Sequence, residues 1–262
     1  MALTISGLSK TYPNGVKALR NLSLTIGNEM FGLLGPNGAG KSSLMRTVAT
    51  LQDPDSGSVT LDGIDVLKDK NAVRRVLGYL PQEFGVYPRM SALDMLHHLA
   101  IMKGISNKTE RNQMVDALLN QTNLWAARKK SLSTYSGGMK QRFGIAQALL
   151  ANPKLIIVDD VRELCPRMAI IASGQVLLEG SPAAALDLLN GKIFSKVVAT
   201  DDELRALEAS FSVISTHLVG GLHEVRIYAG TNPGADFKPV DSGLEDVYFL
   251  NLATQAASQA AN

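Results

Sequence analysis

Apolar and polar residues alternate along the first part of the chain with the two-residue period of β-strands. A short apolar run then leads through several glycines into a segment with helical spacing, a succession typical of α/β proteins. Further apolar runs between turn residues predict two more strands. We predict strands over Leu3–Leu8, Leu22–Ile26, Met30–Leu34, Ser58–Leu61 and Val76–Leu80, and a helix over Ser42–Leu51.

The middle of the chain, from about residue 88 to residue 151, changes to helical periodicity. Ser91 precedes one helix with Asp94 at the capping-box position, and Gly104 is placed to end that helix. The apolar β-branched run Leu155–Val158 predicts a buried strand. We predict further helices over Lys108–Gln121, Ser136–Leu150 and Asp202–Ser210, and further strands over Met168–Ala172, Gln175–Glu179, Val213–His217 and Glu224–Tyr228.

Composition changes this picture little. The 262 residues are 45% hydrophobic and 19% charged, which permits a packed core and disfavours broad disorder. A net charge of +2 neither favours nor excludes nucleic acid, and because no basic tract stands out we predict no nucleic-acid partner. The single cysteine, Cys165, suggests a reducing compartment. The N-terminus lacks a signal-peptide pattern and no apolar run approaches about 18 residues, so we expect any membrane role to need a partner.

The glycine-rich segment between the third predicted strand and the first predicted helix carries the most informative chemistry. Residues 35–42 follow the pattern G-x-x-x-x-G-K-S, which is typical of phosphate-binding P-loops. The glycines allow the backbone to turn its N–H groups toward an anion, and the helix start adds a positive dipole end. Lys41 is expected to contact the β- and γ-phosphates, and the Ser42 hydroxyl to bind Mg²⁺. The alternative interpretation is a glycine-rich turn that binds nothing.

A second glycine-containing segment narrows the choice among nucleotide-binding proteins. Residues 135–142 read Tyr-Ser-Gly-Gly-Met-Lys-Gln-Arg, which resembles the Leu-Ser-Gly-Gly-Gln signature of ATP-binding cassette (ABC) ATPases. Ser136 would cap a helix whose free N–H groups face a phosphate, although an ordinary Ser-capped helix is the alternative. The resemblance runs from about Leu3 to Gly180. It implies an α/β fold of the P-loop NTPase type, with a RecA-like core, an antiparallel β subdomain and a helical subdomain.

The resemblance also implies a nucleotide site shared between two subunits, in which the P-loop of one subunit and the signature of the other close on one ATP. Tyr12 resembles the aromatic residue that stacks on adenine, Gln82 the Q-loop glutamine that contacts Mg²⁺ and the attacking water, and Asp159 the Walker B aspartate that holds Mg²⁺ through water. Ordinary turn and loop roles are the alternatives for Tyr12 and Gln82. The residues implied for ATP are Tyr12, Gly35, Asn37, Gly38, Ala39, Gly40, Lys41, Ser42 and Ser43; for the opposite subunit's ATP, Ser136, Gly137 and Gly138; and for Mg²⁺, Ser42, Gln82 and Asp159.

The chain departs from the family pattern directly after Asp159. Family members continue with a catalytic glutamate, a helix and a strand that ends at a switch histidine, whereas here Asp160 stands in the place of the glutamate and the histidine unit does not follow. The Asp160 side chain is one methylene shorter, which would place its carboxylate too far from the water. His217 copies the local switch sequence but lies in the tail, so we interpret it as unrelated to catalysis. Gln82 and Asp160 remain as candidate catalytic residues, and we predict that one β–α unit is missing near 159–160.

A missing unit would change the central sheet. In the family, the strand that ends at the switch histidine lies between the P-loop strand and the Walker B strand. Either Leu155–Asp159 pairs directly with Met30–Leu34, or the core is only marginally stable. We take direct pairing as a hypothesis, and a structure without a ladder between Leu155–Val158 and Phe31–Leu34 would reject it.

The resemblance implies an ATP-binding subunit of an ABC transporter that couples ATP binding and hydrolysis to export through a separate transmembrane permease subunit. Such a subunit lies peripherally on the cytoplasmic side of the cell membrane and forms a homodimer or heterodimer. The tail motif Gly243–Tyr248 resembles the extension of bacterial multidrug and antibiotic exporter ATPases. We therefore expect an ABC nucleotide-binding domain over 1–180, with its helical subdomain at about 88–151, and a C-terminal extension over 181–262.

Hydrolysis is expected to be strongly impaired, because general-base and water-positioning groups contribute about 10²–10⁴-fold and both are absent from the pattern. The main alternative is a non-hydrolysing nucleotide-binding module or a defective deletion product. A P-loop kinase or small GTPase is disfavoured, because neither explains the segment Tyr135–Arg142.

Overall fold

The structure, a computed structural model, describes residues 2–80, 89–158, 165–219 and 222–260, with the side chains of Val219 and of residues 253–260 excepted. Contacts divide it into two compact units. The first unit comprises Met1–Asn28 and Gly40–Val161, and the second comprises Glu29–Ala39 and Arg162–Asn262. Each unit has its own sheets and its own apolar cores.

Strands and helices succeed one another along the whole described chain. The strands are β1 (Leu3–Thr11), β2 (Lys17–Ile26), β3 (Phe31–Leu34), β4 (Ser56–Leu61), β5 (Ile64–Asp65), β6 (Leu77–Leu80), β7 (Leu155–Val158), β8 (Arg167–Ala172), β9 (Gln175–Gly180), β10 (Ile193–Val198), β11 (Ser212–Val219), β12 (Leu222–Tyr228) and β13 (Lys238–Pro239). The helices are α1 (Lys41–Val48), α2 (Lys70–Val76), α3 (Ala92–Met102), α4 (Lys108–Gln121), α5 (Gly137–Leu149), α6 (Pro182–Asp187), α7 (Asp201–Ser210) and α8 (Leu244–Ala260). Within the described residues, every helix is too short or too polar to cross a membrane.

The first unit begins with an antiparallel sheet in the order β2-β1-β4-β5. Apolar residues of β1 alternate with more exposed ones, and Leu3, Ile5 and Leu8 are buried, as expected for a sheet with one covered face. Gly7 and Asn21 adopt positive φ where the β1–β2 register shifts. This sheet matches the antiparallel β subdomain that the resemblance implied.

Three helices, α3, α4 and α5, surround a second apolar region of the first unit. The Ser91 hydroxyl accepts the N–H of Asp94 at 3.1 Å, and Gly104 adopts a φ of +92° just beyond α3, which confirms both predicted helix ends. Asn107 caps α4, and α4 covers the range predicted from the sequence. The fully buried Phe143 on α5 lies in this core.

The short parallel sheet of the first unit contradicts the pairing hypothesis. β7 pairs with β6, from Leu77 opposite Leu155 to Leu80 opposite Val158. β3 pairs with β8 instead, so the hypothesis that Leu155–Asp159 pairs with Met30–Leu34 is wrong. The prediction of a buried strand is also wrong for Ile156 and Val158, which are 43% and 38% exposed. The two residues share one face of the strand, and this face is partly open to solvent.

The second unit contains a three-stranded sheet in the order β3-β8-β9. β8 pairs in parallel with β3 and antiparallel with β9, and its residues Met168–Ala172 are at most 2% exposed. Arg167 at the start of β8 forms ion pairs with Glu29 and Glu179. The P-loop strand β3 is therefore fixed to a fully buried neighbour.

The tail forms an antiparallel sheet in the order β11-β12-β10-β13. Arg226 on β12 donates to the buried carboxylate of Asp246 at 2.8 Å and to the carbonyl of Asp241 at 2.7 Å. Asp246 also accepts the N–H of Gly243 at 2.7 Å. The tail motif Gly243–Tyr248 thus includes the residue that holds the start of α8 against the sheet.

Several elements were not predicted from the sequence, namely α2, α6, α8, β5, β10 and β13. A signal for α6 was present, because Ser181 accepts the N–H of Ala184 and Pro182 occupies the first helical position. For α2, the Asp69 side chain accepts the N–H of Ala72 in the same manner.

Candidate nucleotide-binding site

The P-loop connects β3 to α1, in the strand–loop–helix order that the sequence predicts. The boundary between the two compact units falls inside this loop, after Ala39. Residues 35–39 therefore belong to the second unit and residues 40–43 to the first, and each part has its own contacts.

The first part of the loop is held closely against β8. Gly35 has a φ of +149°, and a Cβ at this position would lie 2.2 Å from the carbonyl oxygen of Ile171. The Ala39 N–H donates to the Pro36 carbonyl at 3.2 Å, and the Ala39 carbonyl accepts the N–H of Gly174 at 3.0 Å. Glycine is required at position 35 because any side chain would displace backbone atoms.

The outer side of the loop is open. Asn37 and Gly38 are exposed, and Gly38 has a φ of +83°. A Cβ at Gly38 would meet no other atom of the described chain within 4 Å. The loop is thus closed on its β8 side and open at its tip, as a backbone cradle for an anion requires.

The second part of the loop is the start of α1. Gly40, with a φ of +107°, occupies the N-cap position and can offer no side chain to the first N–H groups of the helix. The first turn contains Lys41, Ser42 and Ser43, with no acidic residue. Lys41 is half-buried and Ser42 is exposed. A positive helix end next to a lysine and the exposed hydroxyl of Ser42 favours a phosphate group.

Tyr12 lies beside this helix start. Its hydroxyl oxygen is 3.0 Å from Ser43 Oγ and 3.0 Å from Gln52 Oε1. The structure therefore brings together two of the residues predicted for ATP, one from the β1–β2 turn and one from α1. Gln52 was not predicted as a site residue, because a polar residue just after a helix carries no distinctive sequence signal.

The signature segment forms the start of α5. Ser136 Oγ accepts the N–H of Met139 at 3.3 Å, so Ser136 caps the helix as predicted. Gly137 and Gly138 are exposed, and a Cβ at either would meet no described atom within 4 Å. The N-terminus of α5 is therefore accessible to a ligand or to another subunit.

The tyrosine in place of the usual leucine has a structural explanation. Tyr135 is only 4% exposed and belongs to the core of the three helices, while its hydroxyl donates to the Ala127 carbonyl at 3.0 Å. Burial raises the pKa of Tyr135, which keeps the phenol neutral. The tyrosine ring thus packs in the apolar core as a leucine would, and its hydroxyl group has a hydrogen-bond partner.

Three of the predicted residues, Gln82, Asp159 and Asp160, lie outside the described residues. Of the residues predicted for Mg²⁺, the described part of the site contributes Ser42, whose exposed hydroxyl fits that role. His217 is exposed on β11 of the tail sheet, and its register partner there is Glu224.

Comparisons with known proteins agree with this geometry. A family model described as "ABC transporter" matches residues 19–162. The chain is 31% identical over 229 residues to the probable multidrug ABC transporter ATP-binding protein YbhF of Escherichia coli (strain K12), covering 73% of this chain and 39% of that protein. It is 37% identical over 192 residues to the uncharacterized ABC transporter ATP-binding protein YxlF of Bacillus subtilis (strain 168), covering 67% of this chain and 63% of that protein.

A solved structure supports the fold. It is the dimeric structure of an ATP-binding cassette in a post-hydrolysis state, bound to ADP and Pi. That structure and this chain superpose with a TM-score of 0.61 and are 25% identical in sequence. The match covers 68% of this chain and 98% of that structure. The chain spans between about two fifths and two thirds of the length of the two curated relatives.

Proposed function

Because the chain belongs to the ABC transporter family and has its P-loop NTPase fold, we propose that it is the ATP-binding subunit of an ABC exporter acting through a separate transmembrane permease subunit. The observation that carries this proposal is the P-loop. It is closed against Ile171 at Gly35, open at Gly38, and followed by a helix start with Lys41 and no acidic residue. A triphosphate is the ligand that this combination of backbone N–H groups and positive charge fits.

The roles of the individual residues follow from their positions. The loop residues Gly35, Asn37, Gly38, Ala39 and Gly40 form the backbone cradle. Lys41 neutralises charge on the terminal phosphates. Ser43 lies in the first turn of α1, next to these groups in sequence.

The other groups bind the base and the metal. Tyr12 provides the aromatic surface for the base. Ser42, together with Gln82 and Asp159, holds Mg²⁺, which when bound neutralises phosphate charge.

A partner copy completes the site in this proposal. The exposed N-terminus of α5, with Ser136, Gly137 and Gly138, serves the ATP bound to the opposite subunit of a homodimer or heterodimer. The dimeric cassette among the solved structures supports this arrangement. The subunit then lies peripherally on the cytoplasmic side of the membrane through its permease partner. The multidrug name of the Escherichia coli relative and the tail motif favour export over import.

We also propose that hydrolysis is impaired because one β–α unit of the core is missing near 159–160. The exposure of Ile156 and Val158 in β7 supports this. A central strand of a parallel sheet is normally covered on both sides. Asp160 then stands in for the catalytic glutamate with a shorter reach, and the domain division remains 1–180 and 181–262. The alternative is a non-hydrolysing nucleotide-binding module or a defective deletion product.

Equilibrium binding of labelled ATP in the presence of Mg²⁺ tests the proposal. The chain should show saturable binding, and Lys41→Ala should weaken it about tenfold or more, since hydrogen bonds to charged groups contribute about 1.5–3 kcal/mol. Lys129→Ala, a change at an exposed lysine away from the loop, is the matched control and should bind normally. Absence of saturable binding by folded protein, or equal binding by Lys41→Ala, would contradict the proposal.

A further inference from the structure

The hydroxyl group of Tyr12 is held at two points, although the family role of such a residue uses only the ring. Its oxygen lies 3.0 Å from Gln52 Oε1 and 3.0 Å from Ser43 Oγ. Tyr12 itself is half-buried, so part of the residue remains accessible. The side chain is thus fixed in orientation before any ligand binds.

The hydrogen bonds of the Gln52 side chain determine which end of its amide faces Tyr12. Gln52 Nε2 donates to the Ser43 carbonyl at 2.9 Å and to Thr47 Oγ1 at 3.1 Å. The Thr47 hydroxyl donates its own proton to the Ser43 carbonyl at 2.8 Å, so it accepts from Gln52. With the amide nitrogen committed to two acceptors, the amide oxygen faces Tyr12 and accepts its proton.

The direction of the remaining hydrogen bond follows from this assignment. Because the single proton of the Tyr12 hydroxyl goes to Gln52, the Ser43 hydroxyl donates to Tyr12. Ser43 is 8% exposed and Thr47 is fully buried. Buried polar groups that are all paired form a rigid network, so the network resists rotation of the Tyr12 side chain.

The main chain next to Tyr12 is held by Asp55, which lies in the same segment after α1 as Gln52. Asp55 Oδ2 accepts the N–H of Thr11 at 2.6 Å, and Asp55 Oδ1 pairs with Lys10 Nζ at 3.0 Å. The Asp55 N–H donates to the Ser9 carbonyl at 2.8 Å. Residues of the segment after α1 therefore fix both the main chain that leads to Tyr12 and the end of its side chain.

We propose that Gln52 is a positioning residue that, through the Tyr12 hydroxyl, holds the Tyr12 ring as a preformed stacking surface for the base of a nucleoside triphosphate. The inference rests on the proposed function and extends it to residues outside the P-loop. Stacking of a base on an aromatic ring strengthens binding by a factor of about 5–150. A preformed ring avoids the cost of immobilising a side chain, a factor of about two to ten.

The test compares two ligands that differ in the base. The dissociation constants for Mg²⁺·ATP and for Mg²⁺·inorganic triphosphate are measured by calorimetry. The triphosphate constant divided by the ATP constant gives a ratio that isolates the contribution of the nucleoside. Tyr12→Phe keeps the ring and removes the hydroxyl, while Gln52→Leu keeps the volume and removes the amide. Each should lower the ratio by about two- to tenfold, and Tyr12→Ala should lower it further.

Two further variants separate positioning from folding. Gln52→Glu keeps an acceptor for the Tyr12 hydroxyl but loses the donor to the Ser43 carbonyl. Its charge weakens both ligands alike, so the ratio should lie between those of Gln52→Leu and the native chain. Gln113→Leu, at an exposed position on α4, should leave both constants unchanged.

Each possible outcome decides the inference. If both ligands weaken in parallel in Tyr12→Phe and Gln52→Leu, Gln52 only supports α1 and the inference is wrong. If neither dissociation constant changes in these two variants while the native chain binds ATP normally, the inference is also overturned but the proposed function stands. If the native chain binds neither ligand, both proposals fail.

Discussion

Two short apolar strands, β7 and β8, look alike in sequence and differ in their surroundings. β7 reads Leu-Ile-Ile-Val, and β8 contains Met-Ala-Ile-Ile-Ala. The apolar residues of β8 are at most 2% exposed, and Met168 and Ile170 belong to an apolar core that includes Leu189. In β7, Ile156 and Val158 are 43% and 38% exposed, with β6 as the neighbour that the described residues show.

The difference teaches that strand burial depends on the neighbours as much as on the strand itself. The neighbouring strand β6, in contrast, is closely packed against α5 at Gly78. A Cβ at Gly78 of β6 would lie 2.1 Å from the carbonyl oxygen of Ala148 on α5. The exposed residues of β7, Ile156 and Val158, share one face of the strand, so an apolar face is partly open where parallel sheets are normally covered.

The largest expected effect comes from truncating one isoleucine in each strand. Ile170→Ala in β8 removes fully buried atoms and should cost about 2–5 kcal/mol of unfolding free energy. Ile156→Ala in β7 removes half-exposed atoms and should cost about 1 kcal/mol or less. Hydrogen exchange followed by mass spectrometry reads the two units separately. Equal costs at the two positions would remove the contrast between the strands.

The second prediction sharpens the comparison on the β8 side, using two glycines of the P-loop. Gly35→Ala would force a Cβ to within 2.2 Å of the Ile171 carbonyl oxygen and should lower stability by at least about 1–3 kcal/mol. Gly38→Ala also has a positive φ but open space around it, so backbone strain of about 1 kcal/mol is the main cost. Urea denaturation of both variants measures the difference. A less stable Gly38→Ala would show that β8 does not hold the loop closely.

The smallest expected effect is a change of stability with pH that comes from Lys103, which contacts β6. Lys103, directly after α3, donates to the Leu77 carbonyl of β6 at 2.7 Å, and burial lowers its pKa. Between the lowered pKa and the ordinary lysine value, the unfolded chain binds more protons than the folded one. Stability should therefore rise slightly as the pH increases through that window.

Urea midpoints measured from neutral pH to about pH 10 detect this rise. Lys103→Met is the control and should lack it. A native chain whose stability falls over the same range, relative to Lys103→Met, would show that burial does not dominate at this lysine.

Local patterns allowed much of the fold to be predicted, because helix ends depend on few residues. Ser91, Gly104 and Ser136 mark helix ends in the structure as in the sequence. The exposure of β7 could not be predicted in this way, since it depends on which distant residues pack against its faces. A run of apolar residues indicates that a strand can be buried, and does not indicate which neighbours it has.

The candidate site shows the same division. The P-loop and the cap at Ser136 follow from contiguous residues, and the structure places them at two helix starts. The contact between Tyr12 and Ser43 required the resemblance, because 31 positions separate them. Gln52 was found only in three dimensions, since its importance lies in three hydrogen-bond partners that no spacing reveals.

We propose that the chain binds ATP but hydrolyses it poorly. Steady-state turnover of saturating Mg²⁺·ATP by the purified chain tests it most directly, beside a family member that carries the catalytic glutamate and the switch histidine. We expect turnover at least about 10²-fold below that of the intact relative, because a water-positioning or general-base group contributes at least that much. Turnover equal to the relative, and abolished by Lys41→Ala, would contradict the account.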